Sequence, residues 1–415
     1  MKYGCIAEKL SHSFSREIHQ KLGDYPYELK ELTPQELVAF MEERCFSAIN
    51  VTIPYKRDVI PFLDELEPTA AAVGAVNTVV NKNGRLYGYN TDVYGMRALI
   101  RRLGVSLVGC KVLILGSGGT AQTARTVAKE LGAACIYAVS RGDRGDCTYE
   151  EAAKLHADVD FIINTTPCGM YPKFTPLPLD LADFPALCGV VDAVYNPLRT
   201  AFVSQARERG LPAAGGLYML VAQAARASEY FLETSYPEER VEEVYRSVFA
   251  SKQNIVLIGM PGSGKTTVGK ALAKQLGHPF LDTDRLFAER FGVTPADCIR
   301  AEGESAFRSK ESALIASLTE KNGCVIATGG GAVLREENLR ALRANGRLYF
   351  LDRPLEALLP TEDRPLTSDR AALEQRYHER HPVYRVAADC ILHPASVEAA
   401  CREIMEDMSC EDFCD

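Results

Sequence analysis

Gly259-Met-Pro-Gly-Ser-Gly-Lys265-Thr266 has the spacing G-x-x-x-x-G-K-[ST]. In that spacing the backbone N–H groups wrap a chain of phosphates at a helix N-terminus, where the helix dipole favours anions. Lys265 then reaches the β- and γ-phosphates of a nucleotide such as ATP, and Thr266 ligates Mg²⁺. The expected nucleotide contacts are Gly262, Ser263, Gly264, Lys265, Thr266 and Thr267. Asp282-Thr-Asp284 follows a short apolar run. Read as a strand end, period-2 spacing turns both carboxylates to one face beside the phosphate loop. One of the two can hold Mg²⁺ through water while the other receives a substrate hydroxyl. The competing reading is an N-cap for a helix Arg285–Phe291. At Thr328-Gly-Gly-Gly331 a ligand can lie against bare backbone, where a Walker-B carboxylate often stands.

A second glycine turn precedes the first in the chain. Gly116-Ser117-Gly118-Gly119-Thr120-Ala121 fits G-x-G-x-x-A, after an apolar run and before a helical pattern. That is the spacing of a dinucleotide-binding turn. The next strand, Ile136–Val139, ends in Ser140-Arg141. An acidic residue at that place would take the ribose hydroxyl of NAD. An arginine suits a 2′-phosphate instead, so the expected cofactor is NADP(H), with Ser140 and Arg141 at the phosphate.

Such turns need strands before them and helices after them. Val112–Leu115, Ile136–Val139, Phe161–Ile163 and Val190–Val194 read as buried strands between amphipathic stretches. Ile255–Ile258, Val325–Ala327 and Leu348–Leu351 do the same later. Continuous apolar strands alternating with helices mean parallel sheets covered on both faces, an α/β protein. Pro237-Glu-Glu-Arg opens a helix expected to reach about Phe249, and a fresh strand follows Ser251-Lys-Gln-Asn. The main boundary is therefore placed near residue 252. Gly104–Gly109 separates an initial α/β block from a Rossmann-type unit, and the P-loop unit has its own parallel sheet.

The 415 residues exceed what one hydrophobic core supports, so two or three domains are expected. A net charge of -8 with no block of like charges argues against nucleic-acid and membrane partners. The apolar stretch Gly210–Ala225 is too short to span a bilayer and contains Pro212. Glu8 and Lys9 interrupt any apolar leader, so no signal peptide is expected. Thirteen scattered cysteines without a C-x-x-C pair read as reduced thiols of a cytoplasmic protein.

In their order along the chain, GMPGSGKTT, the DTD, Phe307-Arg308-x-x-Glu311, TGGG, Asp363-Arg364-Pro-Leu and Arg380-x-Pro-x-Tyr384 resemble the shikimate kinases, over about 253–408. The resemblance implies that Asp284 takes the hydroxyl proton of shikimate. It gives Arg308, Arg380 and Gly330 to the shikimate carboxylate and ring, and Arg364 to ATP from a lid. Glu356–Asp363 has no arginine where many relatives stack one on adenine.

The first 250 residues resemble the shikimate dehydrogenases. The matching segments are Ser11-His-Ser13-Phe-Ser15, Asn50-Val-Thr52-Ile-Pro-Tyr-Lys56, Gly74-Ala-Val-Asn77-Thr and Asn90-Thr-Asp92. Asn164-Thr-Thr-Pro-Cys-Gly-Met170, Asp192-Ala-Val-Tyr195-Asn-Pro and Gly216-Leu-Tyr-Met-Leu-Val-Ala-Gln223 follow. Read alone, Lys56 and Asp92 suit an ordinary ion pair. The resemblance makes them the catalytic pair, with Ser13, Ser15, Thr52, Asn77, Tyr195 and Gln223 binding substrate and Gly216 near the cofactor. A lysine can protonate a ketone oxygen as hydride arrives, with a carboxylate fixing its position. Arg16 stands where relatives carry proline.

The expectation is a bifunctional enzyme. Its parts would be 1–103 completed by a returning segment at about 223–250, the NADP unit 104–222, and the kinase 253–408. Its small-molecule partners would be 3-dehydroshikimate, shikimate, NADPH and ATP. A quinate-type dehydrogenase fused to another metabolite kinase, or a ligand sensor, is the alternative.

Overall fold

The computed structural model describes residues 1–10, 14–358 and 370–409. Ser13, Arg364 with the segment around it, and the end of the acidic tail therefore lie outside the described residues. The chain forms two compact units, one of Met1–Asn196 with Thr200–Val248, the other of Pro197–Arg199 with the chain from Phe249 on.

The first unit holds two sheets. The strands β1 Tyr3–Ala7, β2 Glu28–Glu31, β3 Ala48–Val51, β4 Glu65–Leu66, β5 Thr78–Lys82 and β6 Arg85–Tyr89 form a sheet of order β2-β1-β3-β5-β6-β4. This sheet is mixed, because β3–β5 and β5–β6 are antiparallel while the other pairs are parallel. The physical reason is local. Asn83 and Gly84 both have positive φ (53° and 85°), which makes the two-residue turn that joins β5 to β6.

The strands β7 Lys111–Leu115, β8 Cys135–Val139, β9 Phe161–Asn164, β10 Gly189–Asp192 and β11 Ala213–Ala214 form an all-parallel sheet of order β11-β10-β9-β7-β8. From β7 the chain goes first to one neighbour, β8, and then to the other, β9. The crevice at its carboxyl end is where such folds bind ligands. The helix Leu217–Leu232 packs on Thr91–Arg102 and Ser15–Leu22, so the returning segment starts earlier than residue 223.

In the second unit, β12 Asn254–Ile258, β13 Phe280–Asp282, β14 Val325–Ala327, β15 Gly346–Leu351 and β16 Cys390–Leu392 form a parallel sheet of order β13-β14-β12-β15-β16. Val256, Ile258, Leu348 and Phe350 feed one apolar core. Ile255, Leu257, Tyr349 and Leu351 feed another. Alternate side chains point to opposite faces, and both faces are covered by helices, which is why 255–258 and 348–351 are apolar at every position.

The helix Glu238–Lys252 runs three residues past its expected end, and only Gln253 separates it from β12. β10 stops at Asp192, two residues short of the expected Val194. Among the described residues no helix is long and apolar enough to cross a membrane.

Candidate active sites

In the first unit, Lys56 sits in the turns that follow β3, where its carbonyl accepts from the Val76 amide (2.8 Å). Asp92 lies in the first turn of the helix Thr91–Arg102, whose N-cap Asn90 accepts from the Asp92 amide. A carboxylate is favoured at that end of a helix. Lys56 Nζ donates to Asp92 Oδ2 at 2.5 Å, and Asn77 Nδ2 donates to Asp92 Oδ1 at 3.0 Å. Both oxygens of Asp92 are thus committed, which fixes the ammonium against the cleft wall.

The cleft beside this pair has a volume of about 450 Å³ and includes Ser15, Thr52, Asn77, Tyr195, Gly216 and Gln223 in its lining. The structure therefore brings together every described substrate residue of the first expectation. Gln223 is held by Thr91, whose hydroxyl donates to Oε1 (3.2 Å), while Nε2 donates to the Leu220 carbonyl. Asn50, which also lines the cleft, was not among the expected contacts. Its spacing of two from Thr52 along an extended run was the available signal.

On the cofactor side, Gly116–Gly119 turns from β7 into the helix Gly119–Glu130. Ser117 lies in this turn, and Thr120 reaches the cleft. A Cβ on Gly118 or Gly119 would meet nothing within 4 Å, so an open shelf faces this helix N-terminus. A pyrophosphate fits that shelf. Arg141 is exposed on the loop after β8, with Nη2 3.6 Å from Cys168 Sγ. Ser140 is buried, and its hydroxyl donates to the Gly142 carbonyl of its own loop. Two strand ends are clamped beneath this region, since buried Asp192 accepts from Asn164 Nδ2 (2.9 Å), Thr200 Oγ1 (2.7 Å) and the Val194 amide.

The second cleft is larger, about 810 Å³, and runs from the phosphate loop to Arg308 and Arg380. The helix after the loop is Lys265–Leu276, so Thr266 and Thr267 occupy its first turn. Ser263 is buried in the loop. Lys265 Nζ donates to the carbonyls of Gly259 (2.8 Å) and Met260 (2.9 Å), folded over the loop it belongs to. Thr266 Oγ1 donates to Asp282 Oδ2 at 2.9 Å. A hydroxyl and a carboxylate at this spacing are the hard oxygen donors that Mg²⁺ prefers.

The pair Asp282 and Asp284 is not arranged on a strand as the spacing suggests. β13 ends at Asp282, which is the N-cap of the helix Thr283–Phe291 and accepts from the amides of Asp284 and Arg285. The chain turns at the cap, so Asp284 reaches the cleft from the helix instead. A Cβ on Gly329 would lie 2.9 Å from Asp284 Oδ1 and 3.1 Å from Glu311 Oε1, so the two carboxylates share this bare stretch of backbone.

Glu311 was part of the expected motif without a role of its own. It is buried and pairs with Arg308 (Nη1 to Oε2, 2.7 Å), while Glu304 takes the other nitrogen. Burial raises the Glu311 carboxyl, and Arg308 only partly offsets this. Gly331 packs so closely on the Arg308 guanidinium that a Cβ there would collide with it.

Arg380 differs from Arg308. It is 3% exposed, its Nε and Nη2 have no partner, and no carboxylate among the described residues pairs with it. Burial lowers its pKa, and the charges of Arg376 and Arg308 add to the effect. A buried cation without a counter-charge is costly, so this corner of the cleft is built for an anion.

Both parts of the chain match known proteins. Residues 5–79 match the shikimate dehydrogenase substrate binding domain, and residues 261–409 match the shikimate kinase family. The shikimate dehydrogenase (NADP(+)) of Clostridium beijerinckii is 34% identical over 268 residues, spanning 60% of this chain and 98% of that protein. A Geobacillus protein of the same name is 37% identical over 248 residues, or 55% and 90%. A chorismate mutase/shikimate 5-dehydrogenase fusion protein from Clostridium acetobutylicum has a TM-score of 0.56 at 36% identity, covering 59% of this chain and 96% of that one. Shikimate 5-dehydrogenase from Thermus thermophilus, solved with NADP(H) and shikimate, has a TM-score of 0.54 at 28% identity, covering 60% and 99%. The chain belongs to the shikimate dehydrogenase family in its first part and continues into a shikimate kinase domain.

Proposed function

We propose that the chain carries out two consecutive reactions on one small cyclic acid. The first cleft reduces 3-dehydroshikimate to shikimate with NADPH, and the second phosphorylates the shikimate 3-hydroxyl with MgATP. The work is divided among residues 1–103 with the returning helix, residues 104–222 and residues 253–408. The observation that carries this reading is the completeness of both clefts. Lys56 and Asp92 meet among the hydroxyl-binding side chains of one. Asp284, Arg308 and Arg380 line the other together with the phosphate loop.

NADPH, bound on the turn after β7, supplies the hydride. Lys56 gives the carbonyl oxygen its proton, so the ketone gains a hydride and a proton and becomes the alcohol. Asp92 holds the ammonium in place. Ser15, Thr52, Asn77, Tyr195 and Gln223, with Ser13 from the family pattern, orient the ring and carboxylate.

In the kinase cleft, Thr266 and, through water, Asp282 would hold Mg²⁺, which would supply charge neutralisation at the phosphates. Asp284 accepts the hydroxyl proton as the oxygen attacks. Arg308, Arg380 and the Gly330 backbone hold the acceptor, and Arg364 closes on ATP as the family pattern implies. Positioning and charge neutralisation are most of what phosphoryl transfer requires.

The full chain supplied with 3-dehydroshikimate, NADPH and ATP tests this directly. NADPH should be oxidised and ADP released, with ADP release dependent on shikimate. Failure to release ADP when shikimate is present overturns the second assignment, and failure to oxidise NADPH overturns the first.

Two substitutions probe the cofactor contacts. Arg141→Asp should shift preference from NADPH toward NADH by about 10–100-fold, the worth of a hydrogen bond to a charged group. An unchanged ratio of kcat/KM for the two cofactors would remove Arg141 from the 2′-phosphate. Asp282→Asn keeps a good N-cap but loses the charge beside Thr266. Phosphorylation should fall about 10–100-fold, as is usual for outer-shell metal partners, and excess Mg²⁺ should recover part of the loss. A capping role alone predicts wild-type rates at every Mg²⁺ concentration.

A further inference from the structure

Tyr384 has no part in the contacts above, yet it lies where three pieces of the second cleft meet. It is fully buried, and its hydroxyl donates to the Gly330 carbonyl. Arg380 stands one helical turn earlier on Arg370–Ala387 and turns to the same glycine, where the Tyr384 hydroxyl favours its charged form. Gly330 in turn lies against the phosphate loop, since a Cβ there would come within 2.9 Å of Pro261 Cδ. Burial pushes the Tyr384 hydroxyl up to about 12, so it stays protonated and remains a donor.

Tyr384 and Arg380 thus converge on Gly330. Nη1 is the nitrogen turned toward Gly330, 3.5 Å from where a Cβ would stand. The unpartnered nitrogens are Nε and Nη2. These two form one edge of the planar guanidinium, and that edge takes a carboxylate with two parallel hydrogen bonds. The same unit contains an example, because Arg347 binds Asp407 through Nε and Nη2, each at 2.8 Å.

We propose that Tyr384 is a positioning residue for the phosphoryl acceptor: anchored on the Gly330 carbonyl, it holds Arg380 so that the Nε–Nη2 edge is open to the carboxylate of the acceptor acid. The proposal rests on the reading that this cleft phosphorylates shikimate. It adds that acceptor affinity is set by a residue that touches neither substrate nor nucleotide.

The test compares the full chain with Tyr384→Phe, using shikimate and its uncharged methyl ester as acceptors. Affinities come from calorimetry and, for shikimate, also from kinase kinetics. Phenylalanine keeps the ring packed against Phe350 and removes only the hydroxyl. The dissociation constant and KM for shikimate should rise about 5–20-fold, the worth of one hydrogen bond in a charged setting, with KM for ATP unchanged. The ester should lose less than about twofold, because it offers Arg380 no carboxylate. Equal losses for both acceptors, or none for shikimate, overturn the proposal. Should Tyr384→Phe not fold, Tyr384→Leu fills the apolar space and must show the same split. If neither folds, Tyr384 is a structural residue and the proposal fails. A wild-type chain that does not phosphorylate shikimate fails at the function reading instead.

Discussion

Lys56→Ala is expected to slow NADPH-dependent reduction by about 10²–10⁴-fold, the range typical of general acid–base catalysis, and to leave shikimate phosphorylation unchanged. The geometry makes the test clean. Lys56 and Asp92 are partly exposed, at 25% and 16% of their side-chain surface. An ion pair that open to water contributes only about 0–1 kcal/mol. Asp92 keeps its hydrogen bond from Asn77 when the lysine is gone, so the helix start remains anchored. Thermal stability should therefore barely move while turnover collapses. A structural ion pair predicts the reverse, a small loss of stability with most of the activity retained. Steady-state kinetics and a melting curve on the same preparation separate the two.

Asp284→Asn should have an effect of similar size on the other reaction, about 10²–10⁴-fold in shikimate phosphorylation. The substitution keeps the size of the side chain and removes the charge that accepts the hydroxyl proton. Because Asp282 supplies the N-cap, helix capping is not at stake at position 284. The loss of a negative charge in the first helical turn costs only about 0.3–1 kcal/mol. ATP binding through Gly262–Thr267 should stay near normal, and the dehydrogenase reaction should be unaffected. Kinetics with both substrates varied decide the matter, and a variant with wild-type turnover sinks the role given to Asp284.

The inner strands of the two parallel sheets were legible within a residue or two, because burial on both faces leaves an uninterrupted apolar run, whereas the short edge strands β11 and β16 gave no such signal. The first sheet was less legible. Its strands are short and mixed in direction, and the one strong local signal, Asn83-Gly84, marks an antiparallel hairpin within an otherwise α/β pattern. Asp282-Thr-Asp284 shows a different limit. Three residues of this kind end a strand or cap a helix equally well, and the choice depends on the backbone turning at Asp282 so that its carboxylate meets two amides.

By itself the sequence determined both phosphate-binding turns, the α/β class and the identity of the charged residues, because glycine spacing and apolar periodicity are imposed by the backbone over a few residues. Only the tertiary structure decided which of those charges are answered. Lys56 finds Asp92 from 36 residues away. Arg308 is neutralised by Glu311 and Glu304, while Arg380, also buried, pairs with no carboxylate among the described residues and meets Tyr384 at Gly330. An arginine has the same side chain wherever it stands. Whether it serves as a structural counter-ion or as a place for a substrate anion is set by the desolvation and the neighbours that the fold assembles around it.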